Sequence, residues 1–150
     1  MSAGNSIGKM ENVTEISDRS AEYHVIAKRW KSDLEFFKIE SAFLHSLQQD
    51  YYFTKKEDYN NTEFLQKAGD HLLNLQQDII YADTQVNAQL HQLTLVAENI
   101  LNENSRELAL TNATVGHLMI KLTHKYQAIK KDFFTSVEGV FRELNVMSER

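Results

Sequence analysis

The sequence predicts an all-α fold: an antiparallel, up-down-up bundle of three long helices with coiled-coil-like packing. Three observations carry this. Large apolar residues recur at seven-residue steps in three separate ladders. The chain has no proline, the strongest helix breaker, and only five glycines. Two short polar stretches separate the ladders. A seven-residue step returns a helical side chain nearly to the same face, so each ladder marks an amphipathic helix that needs partners to cover it.

The first ladder is Tyr23, Trp30, Phe37, Leu44 and Tyr51. Thr14, Ser17 and Asp18 offer N-caps ahead of it, so the first helix is expected over about residues 14–52. Residues 1–13 are small and polar and read as a disordered leader to a single helical-bundle domain over 14–150. Thr54 to Asn61 is the first loop. The second helix, expected over about 62–101, carries Leu65, Leu72, Ile79, Val86, Leu93 and Ile100, and Asn60 with Glu63 has the spacing of a reciprocal cap.

Asn102, Glu103, Asn104 and Ser105 then interrupt the pattern. Leu101, Leu108, Val115 and Leu122 would extend a ladder straight through this stretch, but Asn and Ser prefer caps to helix interiors, which favours a turn. Asn104 and Glu107 repeat the cap spacing. The third helix, over about 105–147, carries Leu108, Val115, Leu122 and Ile129. Short connections make the first and third helices parallel and the second antiparallel to both. Asp78 and Asp83 are then expected near the level of Lys121 to Lys131. Tyr51, Tyr52, Phe53, Phe64, Phe133, Phe134 and Phe141 are expected at one pole.

Charge and composition narrow the function. The net charge is −5, from 21 acidic and 16 basic residues, whereas nucleic-acid binding draws on an excess of cations. The absence of cysteine excludes disulfides, thiolate metal sites and cysteine nucleophiles. No apolar run has the length of a signal peptide core or a membrane helix, so a cytoplasmic protein is expected.

None of the six histidines (His24, His45, His71, His91, His117, His124) has a glutamate three residues before it or a second histidine four residues away. That spacing predicts no metal site along one helix. His71 follows Ala68 and Gly69 as the histidine of a helical phosphotransfer domain would, yet Leu72, Leu73 and Asn74 stand where such domains place lysine and glycine. Gly4 and Gly8 with Lys9 imitate a phosphate loop, but the spacing is short and no strand precedes it. Adjacent acids such as Glu57 and Asp58 have no apolar pocket around them in the sequence. No enzyme activity, cofactor or small-molecule ligand is expected.

One charge pattern stands out. Between Glu107 and Asp132 there is no acidic residue, and Thr114, His117, Lys121, His124, Lys125 and Lys131 share one face of the third helix. His117, Lys121, His124, Lys125 and Lys131 are the candidate partner-binding residues, either for an acidic partner helix or for an anionic membrane surface. The competing use is internal, because the second helix carries Glu63, Asp70, Asp78, Asp83, Glu98 and Glu103 against the single base Lys67. The sequence favours the internal use. Phe36, Ile39 and Phe43, with Ile120 and Phe134, lie outside the apolar stripes and point to self-association or a partner helix. The expected function is therefore a non-catalytic interaction protein, a scaffold or adaptor working through a helix face. The alternatives are a peripheral membrane-surface protein and, behind it, a phosphorelay module or enzyme.

Overall fold

The ladders build α1 (Ser2–Thr54), α2 (Tyr59–Ala97) and α3 (Ser105–Ser148). The computed structural model describes the backbone of residues 2–54 and 59–148, and the side chains of residues 18–51 and 63–139. Each helix packs on the next, giving an all-α, up-down three-helix bundle. α1 starts ahead of the cap expected near residues 14–20. The side chains of the leader over 1–13, of Asn60 in the expected reciprocal cap, and of Tyr52, Phe53 and Phe141 at the expected aromatic pole lie outside the described residues.

The ladders capture half of each buried stripe. On α1 the alternate row of Ala27, Leu34, Ser41 and Gln48 is buried as well. On α2 the alternate buried row includes Leu75, Ala82, Gln89 and Val96, and on α3 Met119, Tyr126 and Phe133. A turn of about 3.6 residues needs steps of three and four in alternation to stay on one face, so a seven-residue ladder has a companion row between its rungs.

The chain divides into two compact units, Met1–Leu34 with Ala82–Met119 and Glu35–Tyr81 with Ile120–Arg150. Each holds a segment of all three helices. In the first unit Ala27, Leu93 and Leu108 form the core, with Tyr23, Trp30 and Leu90 packed against it. The buried Gln89 donates to Asn112 Oδ1 at 3.2 Å, and Lys31 pairs with Asp83 at 2.7 Å. Asp83 thus meets Lys31 of α1. It stands on the α1 side of α2, five residues after Asp78, and that step rotates it to the opposite flank of the helix.

The end of α2 also differs from expectation. The helix stops at Ala97, and Asn99 adopts φ 59°. The Asn99 amide donates to Val96 O at 3.1 Å and the Ile100 amide to Leu95 O at 2.9 Å. These two bonds form a Schellman cap, with asparagine at the left-handed position where its short polar side chain is tolerated. Ile100, the last rung of the second ladder, falls beyond the cap and is 64% exposed instead of buried. The start of α3 is capped as its spacing predicts: the Glu107 amide donates to Asn104 Oδ1 at 3.1 Å.

In the second unit Leu44, Leu72, Phe133 and Val137 form a core cluster flanked by Leu47, Tyr51, Ala68 and Ile129. The Phe37 and Tyr126 rings lie 4.3 Å apart between centroids. The buried Gln48 of α1 donates from Nε2 to Leu65 O of α2 at 2.8 Å. Gly69 makes room for it, since an added Cβ would lie 2.6 Å from that nitrogen. Gly69→Ala gains about 1 kcal/mol of helix propensity but displaces a buried amide from its acceptor, at about 1–3 kcal/mol. A net loss of stability is therefore expected in urea denaturation.

Candidate functional site

The candidate cationic strip does not act as one set. His117 belongs to the first unit and is exposed; Lys121, His124, Lys125 and Lys131 belong to the second. Lys125 is committed internally, its ammonium donating to the Asp78 carboxylate and to the Asn74 side-chain oxygen of α2. Lys121, His124 and Lys131 are exposed. The acid-free run of α3 thus divides into Lys125, which pairs with α2, Lys130, which pairs with α1, and outer cations that face solvent. Lys125→Gln is expected to cost about 0.2–1 kcal/mol, shrinking at high salt. Lys121→Gln and Lys131→Gln are expected to stay within about 0.5 kcal/mol. Melting curves at low and high salt check both.

A part-buried polar cluster joins α1 and α3 in the second unit. Lys130 Nζ lies 2.5 Å from Glu40 Oε1 and 5.8 Å from the centre of the Tyr126 ring. The Tyr126 hydroxyl is near enough to Glu40 to perturb it, without the geometry of a strong hydrogen bond. Burial alone would raise the Glu40 pKa, but the Lys130 and Tyr126 contacts and the Lys130 charge outweigh it and hold the carboxyl below its usual value. Burial first, and then the neighbouring carboxylate, push the Tyr126 hydroxyl well above the ordinary tyrosine range.

The signs give two limbs of pH dependence. The Glu40 contribution is present above the unfolded carboxyl value near 4.5 and is lost as pH falls through the lower folded value. The Tyr126 contribution is present below the unfolded value near 10.0 and is lost as pH rises beyond it. Glu40→Gln should flatten the acid limb and Tyr126→Phe the alkaline limb of the urea midpoint plotted against pH.

Among the described residues, clefts indent the surface of each unit. In the first unit a cleft of about 850 Å³ lies over Leu93 and Val96, with His24, Val25 and Leu101 on its walls. Ser20 and Glu103 at its edge hydrogen-bond to each other. In the second unit a cleft of about 320 Å³ runs past Phe64, Ala68, His71 and Phe133. His71 is exposed there. Among the described residues no group of three His, Asp or Glu side chains is placed to hold a metal ion. Among the same residues no helix is long and apolar enough to cross a membrane.

The most unusual surface is apolar. Phe36, Ile39 and Phe43 are 55%, 71% and 59% exposed. At steps of three and four residues they form a continuous stripe on α1, on the side away from its buried row. Phe36 and Phe43 flank the side of α1 that carries Glu40. On α3, Ile120 and Phe134 flank the side that carries Lys130, the Glu40 partner, and are 58% and 48% exposed. All five belong to the second unit. The sequence identifies these residues individually.

No family model, no curated protein and no solved structure matches this chain.

Proposed function

We propose that this chain is a non-catalytic helical interaction protein that docks a protein partner on the outer α1–α3 face of its second unit. The carrying observation is the stripe of Phe36, Ile39 and Phe43, each more than half exposed, with Ile120 and Phe134 also exposed on α3 of the same unit. Single exposed apolar side chains are ordinary, whereas a contiguous set of this size on one face resembles a helix-docking surface. Lys131 and His124 lie on the outer side of the same α3 segment and would form its polar rim. A cytoplasmic setting suits a cysteine-free chain that works by association.

The test is retention of a stoichiometric protein by the tagged wild-type chain compared with a variant carrying Phe36→Asn, Ile39→Asn and Phe43→Asn. The expected result is a partner, another protein or the chain itself, held by the wild type and released by the variant, whose melting temperature stays close to wild type. A partner held equally by both would overturn the assignment of this face. Absence of any protein partner for the wild type would overturn the function.

A further inference from the structure

The connection between α2 and α3 lacks the residues that compel a turn. Residues 98–104 contain neither proline nor glycine. The positive φ of the bend, 59°, falls on Asn99, whose Cβ disfavours that conformation. The bend also turns two large apolar residues outward, Ile100 at 64% and Leu101 at 44% exposure. It leaves the cleft of about 850 Å³ over Leu93 and Val96, so the connection packs poorly on the end of the core. The stripes on either side of the bend are nevertheless in phase. At about 100° per residue, one uninterrupted helix would place Leu93, Ile100, Leu101, Leu108, Val115 and Leu122 within an arc of about 100°. A hairpin has no need of this agreement, because each of its helices can rotate to meet its partners independently. We infer that residues 98–104 are a two-state hinge, bent in the single chain and straight in a dimer whose two copies exchange α3. The exchange stands apart from the docking reading.

Straightening alone would strip α3 from the α1–α2 pair and uncover Leu44 and Leu72, which Phe133 covers in the bent chain. A second copy supplies the missing helix. Phe133 then packs with Leu44 and Leu72, and Lys125 pairs with Asp78, across copies instead of within one. The exchange is reciprocal, so the assembly has two-fold symmetry and closes at two copies. Only the hinge differs between the forms. The straight hinge relieves Asn99, adds helical hydrogen bonds and returns Ile100 and Leu101 to the apolar stripe. It gives up the Asn104 cap of α3 and the bond from the Ser20 hydroxyl to Glu103 that ties the bend to α1, together with the entropy of separate chains. Asn99, Asn102 and Asn104 are poor helix formers but not breakers, so they favour the bend without enforcing it. Short hinges that hold strained backbone are the ones that exchange. Exchange leaves Phe36, Ile39 and Phe43 uncovered and presents them twice, which gives avidity toward a repeated partner. That consequence, unlike the hinge, rests on the docking reading.

The test is refolding of the full chain from urea at low and at high protein concentration, followed by sedimentation velocity. Dilute refolding should give monomer. Concentrated refolding should add a dimer that dissociates slowly on dilution, because α3 must detach before the chains part. The absence of native cysteine makes the exchange readable. A variant carrying Asp78→Cys and Lys125→Cys should form its disulfide within chains in the monomer and between chains in the dimer. Asn99→Gly relieves the bend and weakens the straight helix, and each dimer contains two hinges. It should therefore raise the dissociation constant about tenfold or more. Asn99→Ala with Asn104→Ala acts in the opposite sense, penalising the bend and removing the cap, and should lower the constant by a similar factor.

Monomer alone after concentrated refolding, in the wild type and in the Asn99→Ala, Asn104→Ala variant, would overturn the hinge. So would a dimer whose cysteines link only within chains, or one indifferent to Asn99→Gly. A dimer abolished by Phe36→Asn, Ile39→Asn and Phe43→Asn together is held by the outer face of α1, which overturns the exchange and keeps the docking reading. A dimer that links between chains, responds to both hinge variants and survives the triple asparagine variant establishes the exchange, whether or not the stripe then retains a partner.

Discussion

Phe133→Ala is expected to lower the free energy of unfolding by about 3–5 kcal/mol. Phe133 is 1% exposed and is packed in one cluster with Leu44 of α1, Leu72 of α2 and Val137 of its own helix. Truncation removes transfer free energy and leaves a cavity that the surrounding helix backbones are too stiff to close. Phe134, the next residue, has its ring 5.7 Å from that of Phe133 but is 48% exposed. Its replacement by alanine should cost about 1 kcal/mol or less. Urea denaturation of the two variants measures the contrast. Equal losses would mean that α3 is rotated relative to the core described above.

The second large effect compares two rungs of one ladder. Leu93→Ala should cost about 2–5 kcal/mol, because Leu93 is 2% exposed and packed with Ala27 and Leu108 in the first unit. Ile100→Ala should fall within about 0.5 kcal/mol. Both occupy the same seven-residue series, so a continuous helix would make them equally important. The Schellman cap at Asn99 separates them, and a strongly destabilising Ile100→Ala would place the end of α2 later than Ala97.

These comparisons show where sequence periodicity carries information and where it stops. Seven-residue steps were sufficient for the number and type of the helices and the approximate extent of α2 and α3, because the buried stripe is set by helix geometry and side-chain apolarity alone, whereas α1 starts at Ser2, well ahead of its ladder. They did not reveal the Schellman cap, since Leu101 and Leu108 continue the period numerically while one residue at positive φ ends the helix. Gln48 and Gln89 were equally hidden. A buried amide reads as a surface residue until the opposing Leu65 carbonyl and Asn112 side chain are in place.

The candidate surface was legible in part. Phe36, Ile39 and Phe43 stand out from the α1 pattern whatever the tertiary structure, because they lie on the wrong side of an amphipathic helix. Ile120 and Phe134 are exposed on α3 of the same unit. The cationic run was legible in part as well. The sequence favours its internal use, and Lys125 does pair with Asp78, whereas Lys121 and Lys131 stay exposed and His117 belongs to the other unit. Charge spacing on one helix does not specify which cations a neighbouring helix will claim.

The central claim is that the outer face of α1 in the second unit is a binding surface. The most direct measurement is hydroxyl-radical footprinting of the full-length chain, read residue by residue, in dilute buffer and under conditions where it is associated. Association should strongly reduce oxidation of Phe36 and Phe43 while Tyr81 and Phe64, exposed elsewhere on the same unit, stay as reactive as before. Unchanged reactivity of Phe36 and Phe43 in the associated state, with protection appearing on another face, would contradict the account.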